Sequence, residues 1–181
     1  FTLAWYEDMI PWQFPEQYLR LSQSVTTPIC TGEDIFLKEG FKPLLEHRAI
    51  AVVHPDVMTS GGILETKKIG DYAQDHGVAM ALHMAGSPVS AMASVHAAAA
   101  TENFLALENH SADVPAWNDL VTGLSKPIVQ NGYITVPDAP GLGIGDLNLE
   151  ACAAFLHPDD PAVFESTEYW ARERSHDRLW S

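Results

Sequence analysis

Five short apolar runs punctuate the chain: LAWYE, PICTGE, IAVVHPD, VAMALH and FLALE. Each closes on an acidic or imidazole residue, at Glu7, Glu33, Asp56, His83 and Glu108, spaced 26, 23, 27 and 25 residues apart. A polar loop and a helix-like stretch follow each of the first four. A strand, a loop and a helix together fill such an interval, so the pattern predicts repeated βα units. In a (β/α)₈ barrel the C-terminal ends of the strands are where functional groups converge. Carboxylates are seldom buried without a partner or a metal. Five polar strand ends in register therefore point to a site rather than a core.

The same pattern sets the elements. Strands are predicted over residues 2–7, 28–32, 50–54, 78–83 and 104–108. Helices are predicted over 15–25, 37–48, 63–77 and 89–101. Pro15 suits a helix start, and Gly40 and Pro43 interrupt the second helix. The third turns Ile63, Ile69, Tyr72 and Ala73 inward and stops at Gly77. VAMALH is almost wholly apolar, as a parallel strand covered on both faces should be. Past Glu108 the rhythm stops. One or two helical turns over 113–121 are expected, then a hairpin over 127–136 around Asn131-Gly132, a loop over 137–147 and a short helix over 148–156. A polar, extended tail is expected from His157. This divides the chain into a partial barrel domain, 1–125, and a post-barrel segment with its tail, 126–181.

Composition narrows the function. The 181 residues are 46% apolar, enough for one domain with a sizeable core. The net charge of −14 argues against nucleic acid or an anionic membrane as partner. An anionic substrate would then need a divalent cation beside it. No run approaches the ~18 apolar residues of a membrane span. Cys30 and Cys152 read as reduced, buried thiols. The N-terminus lacks the order of a signal peptide, so a cytoplasmic location is expected. It also opens without Met, directly into an apolar strand, and reads as a fragment of a longer protein.

Glu7 and Glu33, at successive strand ends, suit Mg²⁺, which takes hard oxygen ligands; the alternative is a pair of exposed acids. Asp56 is placed to hold one ring nitrogen of His83 and raise the basicity of the other, making His83 a general base or acid. The alternative is a histidine satisfied by a backbone carbonyl. Glu108 is an acid or a substrate-orienting group, or else half of an ion pair. His54 and His110 neighbour the strand ends and are candidates for substrate contact. So are Trp12 and Trp117, unless they only pack. His96, among alanines, reads as structural. GLGIG (141–145) lacks the strand–turn–helix setting of a phosphate loop.

YEDMIP, TGED, HPDVMTSGGILETKKI, ALHMAGSPV with SVHAAAAT, FLALENH and PDAPGLGI together resemble the C-terminal half of the mandelate racemase and muconate lactonizing branch of the enolase superfamily. The resemblance implies an α/β fold, strands four to eight of a modified TIM (β/α)₈ barrel. It implies Glu7 and Glu33 as the second and third Mg²⁺ ligands, Asp56 and His83 as an Asp–His dyad, and Glu108 as the acid on the last strand. The family's first ligand, its lysine acid/base and its capping domain have no counterpart here and are expected upstream.

The implied chemistry is removal of the proton α to a carboxylate, with Mg²⁺ stabilising the resulting enediolate. ALHMAGSPV followed by LENH looks most like the acid-sugar dehydratases, which give a 2-keto-3-deoxy acid. A racemase or epimerase by the same chemistry is the alternative. An inactive fragment serving only in assembly or binding is another. The implied partner is a small carboxylate, a sugar acid, and the whole protein is expected to be a homo-oligomer.

Overall fold

The computed structural model describes residues 2–111, 113–159 and 162–163. Four βα units and a fifth strand run in order: β1 (Tyr6–Glu7), α1 (Pro15–Ser24), β2 (Ile29–Thr31), α2 (Leu37–Glu46), β3 (Val52–Val53), α3 (Ile63–Asp75), β4 (Ala79–Leu82), α4 (Pro88–Ala99) and β5 (Phe104–Leu107). A 3-10 turn, Trp117–Asp119, and α5 (Leu149–Ala153) follow. The strands form one sheet in the order β1-β2-β3-β4-β5, every pair parallel. Parallel neighbours need a crossover, and a helix supplies each one.

Strand alternation sorts the side chains. Ile29, Val53, Met80 and Leu82 meet Tyr18, Phe41, Leu44, Leu45, Ile69 and Ala73 of the helices. Cys30, Val52 and Ala81 point to the other face, where they pack with Trp5. The same parity carries His54 and Asp56 beyond Val52, and His83 beyond Ala81, to that inner face. Backbone bonds continue past the strands: His54 N–H to Thr31 O at 2.9 Å, His83 N–H to Pro55 O at 3.2 Å and Glu108 N–H to Leu82 O at 2.9 Å. Asp56 and His83 form an isolated parallel bridge. The polar strand ends are thus held by the ladder, not by free loops.

Several expectations need correction. β1 is confined to Tyr6–Glu7 rather than spanning 2–7. α2 is continuous from Leu37 to Glu46, with Pro43 inside it. Gly40 belongs there because a Cβ would sit 2.5 Å from the Ile35 side chain. The first turn of α2 is capped from its neighbour: Glu65 of α3 accepts the Lys38 N–H at 3.0 Å. In α3 the inward face is Thr66, Ile69, Gly70 and Ala73, while Ile63 is 38% exposed. The hairpin over 127–136 reduces to one bridge, Gln130 with Tyr133, bonded in both directions around Asn131-Gly132. The helical turns over 113–121 reduce to the 3-10 turn. The tail from His157 lies almost wholly outside the described residues.

The segment after β5 builds a second core on α4. Met84, Met92 and Val95 pack against Trp117, Val121 and Ile128. β5 closes the sheet on one side, and its free edge borders a cavity of about 650 Å³ lined by Phe104, Leu105, Leu107, Tyr133 and Val136. Among the described residues no helix is long and apolar enough to cross a membrane.

Candidate active site

Asp56 is fixed by the turn it starts. Its Oδ1 accepts the Met58 N–H at 2.7 Å, while its carbonyl accepts from Thr59 and Ser60. Its Oδ2 is left for His83, whose Nδ1 lies 2.6 Å away. A carboxylate oxygen only accepts, so Nδ1 carries the hydrogen and Nε2 is left to face the neighbouring carboxylates. Nε2 faces Glu33 Oε2 at 3.3 Å and Glu108 Oε2 at 3.6 Å. Burial by itself lowers the His83 pKa; the Asp56 hydrogen bond and the charges of Glu108, Glu33 and Asp56 outweigh it and leave the imidazole above its ordinary value.

Glu33 follows Gly32, whose φ of +148° and tight packing exclude a side chain. A Cβ there would lie 2.7 Å from the Phe41 ring and 2.9 Å from the His54 backbone nitrogen. Burial, with Asp8, Asp34 and Glu7 nearby, lifts the Glu33 carboxyl above its usual range, against the opposing pull of His83. One carboxylate oxygen from each of Glu7, Asp8 and Glu33 lies within 4.8 Å of the other two. Three hard, anionic donors so close repel one another unless a cation joins them, and the set fits a divalent ion such as Mg²⁺.

Two participants escaped the sequence reading. Alternation would turn Asp8 away from Glu7, but Asp8 adopts φ +47° and Thr31 Oγ1 donates to its Oδ1 at 2.5 Å. Asp tolerates this left-handed conformation better than most residues, and the YED sequence at a strand end was the available signal. Trp5 is the other: it donates its indole N–H to Glu7 Oε2 at 2.7 Å.

The substrate-contact candidates separate. His54 is 1% exposed, inside the barrel wall rather than at its mouth. His110 is exposed, with Nε2 2.7 Å from Glu108 Oε1. Trp12 packs half-buried against the main core. Trp117 is buried in the second core, its indole donating to Gly86 O at 2.9 Å.

Comparison with known proteins bears on the family to which the chain belongs. The family described as Enolase C-terminal domain-like matches residues 1–147. D-xylonate dehydratase of Haloferax volcanii is 40% identical over 156 residues, which cover 86% of this chain and 37% of that protein. Arabinonate dehydratase of Saccharolobus solfataricus is 32% identical over 140 residues, covering 76% of this chain and 36% of that one. Among solved structures, a mandelate racemase/muconate lactonizing enzyme-like protein from Rubrobacter xylanophilus superposes with a TM-score of 0.84 at 35% identity, over 90% of this chain and 41% of its own. The chain therefore spans little more than a third of the length of these curated relatives. It belongs to the enolase C-terminal domain-like family, in the mandelate racemase and muconate lactonizing branch, and forms part of that family's α/β barrel.

Proposed function

We propose that the whole protein dehydrates a sugar acid to a 2-keto-3-deoxy acid. The observation that carries this is the 2.6 Å His83–Asp56 contact beside the Glu7, Asp8 and Glu33 carboxylates. Several similar proteins bear the names of sugar-acid dehydratases, which supports the choice of chemistry.

Dehydration removes the proton α to the carboxylate and expels the β-hydroxyl as water. One group takes the carbon-bound proton and another gives a proton to the leaving oxygen. His83 Nε2 serves one of these steps, with Asp56 holding the ring in the tautomer that exposes it. Glu108, which also accepts the Met84 N–H at 3.4 Å, orients the substrate or shares the proton load. Glu7, Asp8 and Glu33 would hold a Mg²⁺ ion, which would offset the negative charge gathering on the substrate carboxylate. The exposed His110 would contact substrate hydroxyls.

The test is a panel of pentonic and hexonic acids offered to the whole protein with Mg²⁺, read as keto acid formed. Turnover of at least one, abolished by chelation, is the expected result. Racemisation of a 2-hydroxy acid with no keto acid would replace this reading with the epimerase.

A further inference from the structure

Beneath the carboxylate cluster lies a second donor set of different chemistry. Glu7, Cys30 and His54 each offer one ligand atom, all within 4.8 Å of one another. Cys30 and His54 are 0% and 1% exposed. Among the described residues His54 Nε2 is buried with no hydrogen-bond partner, although it lies 3.6 Å from Glu7 Oε2 and 3.4 Å from Glu108 Oε2. Leaving such an atom unsatisfied is costly.

The ring's other nitrogen explains what Nε2 is free to do. His54 Nδ1 lies 3.0 Å from Ala81 O, which can only accept, so Nδ1 carries the hydrogen. Nε2 is then left facing two carboxylates, an arrangement that a cation between them would satisfy. Metal-bound histidines commonly donate their second nitrogen to a backbone carbonyl in this way. Glu7 has its own orienting partner, the Trp5 indole at 2.7 Å. Two of the three ligands thus already have the supporting hydrogen bonds of a metal site.

The geometry points to a site for a thiophilic divalent ion, Zn²⁺ by class, formed by His54 Nε2, Cys30 Sγ and Glu7. One nitrogen, one sulfur and one oxygen donor suit Zn²⁺, which takes such ligands, with Glu108 Oε2 3.4 Å from His54 Nε2 beside the set. They suit Mg²⁺ poorly, because a thiolate is too soft a ligand. Binding forms the metal–sulfur bond and releases the Cys30 proton to solvent. Of the three ligands Glu7 is the one that reaches solvent, its side chain 33% exposed. Insofar as the reading above is right, the site is inhibitory: Glu7 serves both donor sets, so the softer ion draws it away from Asp8 and Glu33.

The probe is Co²⁺, whose bond to a thiolate gives a charge-transfer absorption that oxygen and nitrogen ligands do not. The whole protein, titrated with Co²⁺ in excess Mg²⁺, should develop that band, and Zn²⁺ should bleach it. Cys30→Ser should lose the band while keeping turnover with Mg²⁺, and its half-inhibition by Zn²⁺ should rise about 10-fold or more. His54→Gln gives a second variant in which the band should weaken or vanish, should Cys30→Ser fold poorly. No band in the native protein, or an equal band in Cys30→Ser, would overturn the site and leave Cys30 a packing residue. The spectroscopic readout does not need catalysis, so it stands even where the dehydratase reading fails.

Discussion

Glu7 ends one outermost strand of the sheet and Glu108 directly follows the other, yet both approach one atom: His54 Nε2, at 3.6 and 3.4 Å. Only a strongly curved sheet brings its first and last strands together over the middle one. That curvature turns five successive strand ends into one mouth, and it is the structural fact on which the functional reading depends.

Asp56→Asn should leave the fold intact and cripple turnover. The amide replaces a charged acceptor with one that can also donate, so the His83 tautomer is no longer fixed. A loss of about 10²–10⁴-fold in kcat, with substrate affinity little changed, is expected. Steady-state kinetics on the folded variant checks this; a change in KM alone would assign Asp56 to binding.

Metal binding should involve Asp8 as well as Glu7 and Glu33. Mg²⁺ added to about 100 times its Kd should stabilise the whole protein by about 2.7 kcal/mol. In Asp8→Asn the affinity should fall about 10-fold or more. Thermal unfolding against Mg²⁺ concentration measures both. An Asp8→Asn titration matching the native one would remove Asp8 from the site.

Stability at acid pH should reveal the cap that Glu65 places on α2. The Lys38 backbone N–H and then the Lys68 ammonium hold the Glu65 carboxyl below its ordinary pKa. A depressed carboxyl stabilises the fold above its unfolded pKa, and that contribution fades as pH falls through the folded value. Glu65→Gln should therefore cost about 1 kcal/mol at neutral pH. The difference from the native protein should shrink below about pH 4. Denaturant melts at the two pH values decide it, and a pH-independent difference would mean the carboxyl charge plays no part.

The residues most legible in the sequence were those governed by period. Glu7, Glu33, Asp56, His83 and Glu108 meet because each closes an apolar run at the spacing of a βα unit. The readings that failed depended on non-periodic features. Asp8 reaches the cluster only through a left-handed backbone and the Thr31 hydroxyl, neither of which has a periodic trace. Ile63 looked inward by residue type, but Thr66 and Gly70 take that face because the neighbouring chain approaches closely: a Cβ on Gly70 would lie 2.5 Å from Thr101. His54 was noticed as a strand-end neighbour, yet its burial followed from the curvature of the whole sheet.

His83→Asn tests the central claim most directly. The variant, in the whole protein with Mg²⁺ and a turned-over sugar acid, should form almost no keto acid while still binding substrate. Exchange of the substrate α-proton with solvent deuterium then tells the role: exchange without product marks His83 as the acid for the leaving hydroxyl, and loss of both marks it as the base. Native rates of keto acid formation by His83→Asn would contradict the account and return the imidazole to a structural part.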